Sequence, residues 1–230
     1  MVRVLASVTL NADWHAPLRH VFTSQAASTS TKSEITLKGS VALVTEFFGY
    51  SINSILYQRG IYPPETFNPV SKYGLSLLVT VDEGLKAYLA QVLSQLSEWL
   101  TLGSIQKLVV VINGIESGDT LERWVFNIET DKGVKADGPG KEKSLKEIQA
   151  EIQAVIRQIT ATVTFLPLLD EPCAFDLLVY TDKEAEVPKT WEESDPQYIV
   201  NSTEVRLRSF TTKVHKVDAM VTFKDTSDEV

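Results

Sequence analysis

A single cysteine, Cys173, in 230 residues leaves no intrachain disulfide to form and fits a reducing compartment. Histidine is nearly as scarce: His15, His20 and His215 are the whole set, and two of them lie close to the N-terminus. That scatter offers neither a metal cluster nor a catalytic pair. Cys173, beside Pro172 and with no histidine nearby in sequence, reads as a small buried apolar residue rather than a nucleophile. No apolar run reaches the ~18 residues of a membrane-spanning helix. Basic residues are the minority sign, 22 against 30 acidic, for a net charge of −8, which argues against a general nucleic-acid or anionic-membrane binder. Gly138-Pro139-Gly140 lacks the spacing of a phosphate-binding loop. Glu192, Glu193 and Asp195 read as a solvated acidic loop rather than a metal site, and Asn201-Ser202-Thr203 spells a glycosylation sequon without any other sign of secretion. Catalytic, metal and cofactor groups are therefore all expected to be absent, with a hydrolase built on Cys173 as the enzyme alternative.

With 43% apolar residues, there is enough material for one core of good size. Residues 1–33 stand apart. They carry Arg3, Arg19 and Lys32 against Asp13 alone and turn rich in Ser, Thr and Ala. This segment reads as a disordered N-terminal extension, with an organelle transit peptide as the alternative. The remaining 34–230 read as a single α+β domain with a net charge of −10.

Three helices stand out. The spacing predicts one over about 40–57, with Val41, Val44, Phe47, Phe48, Ile52, Ile55 and Leu56 inward, Gly60 at its C′ position and Pro63-Pro64 as a stop. A second has Thr80 and Glu83 as a capping box, an apolar face from Leu85 to Leu100 that includes Trp99, and Gly103 as its end. The third opens at the capping box Ser144/Glu147 and carries Ile148, Ile152, Val155, Ile156, Ile159 and Val163 inward. Leu166-Pro167 closes it. β-branched residues crowd its last turns, so packing must hold it, and it is expected to lie across a sheet. Arg157, Gln158 and Phe165 interrupt its core pattern with groups suited to a partner surface.

Strands are predicted at 105–112, an apolar run covered on both faces; at 121–129, with Trp124, Phe126 and Ile128 on one side; and at 174–181. Residues 181–198 form an acidic connection longer than an ordinary hairpin needs, anchored by Val187, Trp191 and Tyr198. The strand-like tail 204–214 follows, and Val217, Met220, Val221 and Phe223 extend it. Phe210 is out of phase with Val205 and Leu207, which leaves two registers conceivable.

Several segments together are similar to one family. They are Glu46-Phe47-Phe48, Asn53 through Pro63, Gln106 through Ile112, Leu121-Glu122-Arg123-Trp124, Arg157 through Leu169, Trp191-Glu192-Glu193-Ser194 and Glu204 through Thr212. Spread over about 34–223, they resemble the mitotic-arrest-deficient-two family of spindle-assembly-checkpoint HORMA proteins. The HORMA subunit of the translesion polymerase is the alternative within the fold.

The resemblance implies a HORMA fold: three main helices on a mostly antiparallel sheet, with a mobile C-terminal safety belt over 184–230. It implies an open/closed switch that traps a short partner peptide as an added strand beside 174–181. In the open form the belt would itself pair with that strand; in the closed form it would sit on the other side of the sheet. The implied outcome is sequestration of the WD-repeat co-activator of the anaphase-promoting complex, which delays anaphase until kinetochores attach. Other implied partners are a kinetochore coiled-coil checkpoint receptor, a checkpoint-kinase-related protein, a HORMA-like silencing protein, an AAA+ remodelling ATPase, and the chain itself, open form with closed. No nucleic acid and no membrane are expected. The implied location is nucleus and cytoplasm, with kinetochore and spindle in mitosis.

The resemblance also carries residue roles. Arg157, Gln158 and Phe165 would form the conformational dimer and partner interface. Phe175, Leu177, Val179 and Trp99 would line the peptide strand and groove. Trp191, Val205, Leu207 and Phe210 would anchor the belt, and Leu37 would belong to the segment that holds the open form. Ala219 stands where some relatives carry a phosphorylatable serine.

Overall fold

The computed structural model describes residues 2–7, 35–131 and 143–225. Its elements are β1 (Val2–Ser7), α1 (Leu37–Gln58), β2 (Phe67–Lys72), β3 (Leu75–Thr80), α2 (Glu83–Leu102), β4 (Ile105–Gly114), β5 (Thr120–Thr130), α3 (Leu145–Thr162), β6 (Cys173–Asp182), β7 (Trp191–Glu193), β8 (Ser202–Thr211) and β9 (His215–Lys224). Seven strands form one sheet in the order β7-β1-β6-β4-β5-β9-β8, and β2 and β3 make a separate ribbon. Every pairing is antiparallel.

The alternation along the strands sorts side chains between two faces. Leu108, Val110, Ile112, Trp124, Phe126, Leu177, Val179, Val217 and Val221 point into one large core with the helices. Val109, Val111, Val125, Leu178 and Tyr180 gather on the outer face. α1 supplies the centre of the core: Val44, Phe47, Phe48, Ile52, Ile55 and Leu56 are fully buried. Phe47 and Phe48 meet Phe126 at 5.6 and 5.8 Å between ring centroids, the tilted geometry that aromatic quadrupoles favour.

Several boundaries differ from the sequence expectations. The N-cap of α2 is Asp82, whose carboxylate accepts from Leu85 N at 2.7 Å; Thr80 Oγ1 instead accepts from Asp82 N at 3.1 Å. The Ser144/Glu147 capping box of α3 is present as expected. α3 ends at Thr162 and tightens into a 3₁₀ turn, Val163–Phe165, ahead of the Leu166-Pro167 stop, where β-branched residues are densest. It lies against α1 and β8. The β2–β3 ribbon had no counterpart in the sequence reading. Val2–Ser7, placed by sequence within a disordered extension, is a strand inside the main sheet. The rest of that extension lies outside the described residues.

The tail resolves its phase conflict by a bulge rather than by choosing a register. β8 pairs with β9 from Ser202 to Arg206, slips, and resumes at Ser209. One extra residue turns Phe210 inward although Val205 and Leu207 already face in. Phe210 is fully buried, 4.8 Å from the Phe47 ring.

A polar knot fastens this hairpin to the helices. Buried His215, at the start of β9, has Nε2 3.4 Å from Leu100 O and Nδ1 2.7 Å from Ser40 Oγ, which is 2.6 Å from Thr212 Oγ1. With Nε2–H donating to the carbonyl, Nδ1 accepts from Ser40 and the imidazole is neutral. Burial lowers its pKa below the ordinary value, against the smaller opposing effect of the Leu100 carbonyl. Below the unfolded-state pKa the unfolded chain binds the proton more readily, so this contribution is complete above about pH 6.5 and declines on acidification. The melting temperature is expected to fall from pH 7.5 to 5.5 more steeply in the wild type than in His215→Gln. Parallel slopes would contradict this role.

Candidate functional site

The tail hairpin lies beyond β5: β9 pairs with β5 from Glu122↔Phe223 to Thr130↔His215. That leaves the far side of β6 for another strand, and β1 takes it. The register runs Val2↔Asp182, Val4↔Tyr180, Leu5↔Val179, Ala6↔Leu178. On its other side β1 pairs with β7, Leu5↔Glu193 through Ser7↔Trp191. A six-residue strand is thus held by a ladder on each edge.

The connection 183–201 builds the enclosure. Its root is fixed by Trp99, a buried α2 residue whose Nε1–H donates to Glu186 O at 3.1 Å. The Trp99 ring stands edge-on to Trp191 of β7 at 5.0 Å. After β7, Ser194 N donates to Val4 O at 3.1 Å. The chain then crosses the outer face to reach β8 at the opposite edge of the sheet. On the way Gln197 Oε1 accepts from Asn113 Nδ2 at 3.0 Å, and the Tyr198 ring lies 4.8 Å from the Arg123 guanidinium. Arg123 also donates to the Tyr180 hydroxyl at 3.3 Å. β6 and β7 flank β1, and the start of this strap adds the Ser194 bond to Val4.

The residues singled out by sequence divide between two places. Leu177 and Val179 are buried on the inner face of β6, and Phe175 packs edge-on to Tyr62 and Tyr88 at 6.2 and 5.9 Å. With Trp99 and Trp191 they lie on the β6–β7 side of the molecule. Val205 and Leu207 are half-buried on β8, and Phe210 is buried there. Arg157 is exposed on α3, and Phe165 is 54% exposed on the 3₁₀ turn. Gln158 is not simply a surface group: its Oε1 accepts from Arg208 N at 2.7 Å, inside the β8 bulge. A bulge leaves a backbone donor without a ladder partner, and Gln158 satisfies it. Leu37 is the first residue of α1, partly exposed, after the N-cap Thr36.

Sequence reasoning missed β1 and its ion pair, Arg3 with Glu193 at 3.2 Å, and it named Tyr198 as an anchor without its partner Arg123. The short run Val2-Arg3-Val4-Leu5 was the available signal, but an isolated six-residue strand with no local hairpin partner cannot be assigned a place from its own pattern. The Cys173 thiol donates to Glu171 O at 3.3 Å, and burial raises its pKa, the reverse of an activated nucleophile. Among the described residues no group of three or more His, Cys, Asp or Glu is placed to hold a metal, and no helix is long and apolar enough to cross a membrane.

Comparison with known proteins gives consistent matches. The HORMA domain family model matches residues 40–215. The human mitotic spindle assembly checkpoint protein MAD2A is 64% identical over 195 residues, covering 85% of this chain and 95% of that protein. Its counterpart in Dictyostelium discoideum is 59% identical over 202 residues, covering 88% and 99%. A chain in the crystal structure of the mitotic checkpoint complex superposes with a TM-score of 0.75 at 50% identity, covering 81% of this chain and 99% of that one. DNA polymerase zeta subunit 2 of Drosophila melanogaster reaches 29% over 144 residues, covering 62% of this chain and 70% of that protein.

Proposed function

The chain belongs to the MAD2 family of HORMA-domain spindle checkpoint proteins, and from that premise we propose that it works as a non-catalytic peptide trap. A short partner segment adds a strand along the edge of β6 that lies away from β4, and the connection 183–201 closes over it. The observation that carries this reading is the slot itself. Between β6 and β7 a strand is gripped through its backbone on both edges, an arrangement that recognises an extended segment and leaves side-chain pockets to choose its sequence. The placement of β8–β9 beyond β5 corresponds to the closed arrangement.

The segment captured in the cell would belong to the co-activator of the anaphase-promoting complex or to the kinetochore receptor. Capture would withhold the co-activator and delay anaphase. The remaining partners, the checkpoint-kinase-related protein, the HORMA-like silencing protein and a second copy of the chain, would meet Arg157 and Phe165. The AAA+ ATPase would reopen the belt, and Leu37 would help to hold the open form. Action at the kinetochore and spindle, from nuclear and cytoplasmic pools, follows from these partners. A polymerase adaptor is the weaker reading, given the lower identity and coverage of that relative.

Ion-exchange chromatography with and without a synthetic peptide carrying a basic residue, two adjacent apolar residues and a downstream proline tests the trap. Two slowly interconverting species are expected, drawn into one by the peptide, because conversion must unpair β9 from β5. A single species indifferent to the peptide would count against the switch. In the same run Arg157→Glu should still take up peptide yet lose self-association by light scattering, because α3 and the slot lie at opposite edges of the sheet. Arg157 is the sharper probe of the pair, since Gln158→Ala would also strip the β8 bulge of its hydrogen bond.

A further inference from the structure

We propose that the chain's own N-terminal strand, Val2–Ser7, is a built-in occupant of the slot between β6 and β7, so that a partner peptide must displace a tethered competitor. The inference rests on the capture reading above and goes further by identifying what fills the site before any partner arrives.

Three observations carry it. β1 runs antiparallel to β6 from Val2 to Ala6 and to β7 from Leu5 to Ser7, and the Val4 carbonyl is additionally capped by Ser194 N. The side chains fit as well as the backbone. Leu5 is fully buried in the main core beneath the enclosure, whereas Val4 and Ala6 join Leu178 and Tyr180 on the outer face. Finally, Arg3 meets Glu193 at 3.2 Å, a charge match on a chain whose remainder is acidic. A cation followed by two apolar residues that diverge to opposite faces is therefore the pattern this slot accepts.

A strand of this kind is a poor candidate for an incidental edge. An exposed edge strand is usually blunted or left polar; this one buries a leucine and is covered by β7. Because residues 8–34 join it to α1, its binding is intramolecular. A partner peptide competes against an effective concentration rather than against an empty site. The apparent affinity for a free peptide is lowered by the fraction of molecules whose slot is occupied in cis. The preferred partner then has the same order of residues with a better inward side chain than Leu5, or arrives while the belt is open.

The test uses the full-length chain and a fluorescent synthetic peptide of its own residues 1–10. Hydrogen exchange of the Val4–Ala6 amides is read in parallel. In the wild type these amides should be protected and peptide uptake slow. Leu5→Asp should expose the amides and increase equilibrium uptake roughly tenfold or more, as expected for loss of a fully buried leucine. Replacing residues 2–7 with an equal-length Gly/Ser segment should do the same, which keeps the test valid if Leu5→Asp folds poorly. A peptide carrying the Leu5→Asp change should bind none of the three chains. Unprotected Val4–Ala6 amides in the wild type, or equal uptake by wild type and both variants, overturns the inference even where peptide is captured. Protected amides with no uptake by any chain removes the capture reading. The strand is then a structural edge, which overturns the competitor role for a different and recognisable reason.

Discussion

Arg59→Ala should lower the unfolding free energy by about 3–5 kcal/mol, the cost of leaving one member of a buried ion pair alone. Arg59 follows the last turn of α1, and its guanidinium nitrogen lies 2.5 Å from Glu122 Oε1 on β5. Both side chains are almost completely buried, at 5% and 2% exposure. The same nitrogen donates to Pro167 O at 2.6 Å, and Trp124 Nε1 donates to Glu122 Oε2 at 3.1 Å. One cluster thus joins α1, β5 and the segment that leads from α3 into β6. Burial raises the pKa of Glu122, with Arg59 and Trp124 pulling it back. Without Arg59 the carboxyl rises further. The folded variant then holds its proton at pH values where the unfolded chain has lost it, so its stability declines with rising pH. The deficit should accordingly be smaller at pH 5 than at pH 8. Urea titrations with an unchanged m-value measure it. Arg59→Met with Glu122→Leu should recover most of the loss, because an apolar pair of similar volume avoids desolvating two charges. A loss below about 1 kcal/mol in Arg59→Ala would place this pair with ordinary surface bridges.

How far such a cluster could be foreseen differs from residue to residue. The inward faces of α1 and β5 are legible because period 3.6 and period 2 are visible in Phe47, Phe48, Ile52, Trp124 and Phe126 without tertiary knowledge. The Ser144/Glu147 box is local and was equally legible. The Arg59–Glu122 pair is not, since partners so far apart in the chain leave no mark in either segment. The β2–β3 ribbon was missed because Pro69 sits inside one strand and the turn puts a non-glycine, Tyr73, at φ 50° ahead of Gly74 at φ 68°. Its signal is positive φ at both central residues, and tyrosine does not announce it. The ribbon is held from α1 by buried Asn53, which accepts from Thr80 N at 2.8 Å.

Within the site, Trp99 was legible as part of the apolar face of α2, and Trp191 and Phe210 stood out as large apolar groups in otherwise polar or ambiguous surroundings. Their actual companions depend on chain path. The bulge that reconciles Phe210 with Val205 inserts a residue that no periodicity can locate. Gln158 looked like a partner-facing group because its helix position is solvent-side, and only the approach of Arg208 gives it an internal acceptor role. β1 is the extreme case: its pattern is weak, its neighbours in sequence lend it no context, and its two ladder partners come from the far end of the chain.

Removing residues 221–230 should abolish stable peptide retention while leaving the helical core folded. The deletion takes the last strand residues of β9, including fully buried Val221. It breaks the pairs Trp124↔Val221 and Glu122↔Phe223 on one side, and Thr203↔Phe223 and Val205↔Val221 on the other. β8 from Ser202 to Val205 then has no partner, and the strap that crosses the outer face loses its landing point. Burial of one such side chain is worth about 1.5–3 kcal/mol, and each ladder hydrogen bond about 1 kcal/mol. The lost terms exceed the few kcal/mol that separate two arrangements of a switching fold, so the closed one should become the minor state. α1, α2 and the β4–β5 and β4–β6 ladders are not touched by the deletion, which separates this outcome from general unfolding. Release of a labelled peptide during a chase with unlabelled peptide should accelerate roughly 100-fold, equivalent to about 3 kcal/mol at 1.4 kcal/mol per tenfold. The Val4–Ala6 amides should lose exchange protection with it, because the same strap starts at Ser194, which donates to the Val4 carbonyl. If the truncated chain retained peptide as long as the intact one, closure would have to be held by Trp99, Trp191 and the Tyr198–Arg123 contact alone, and the tail hairpin would not be the latch.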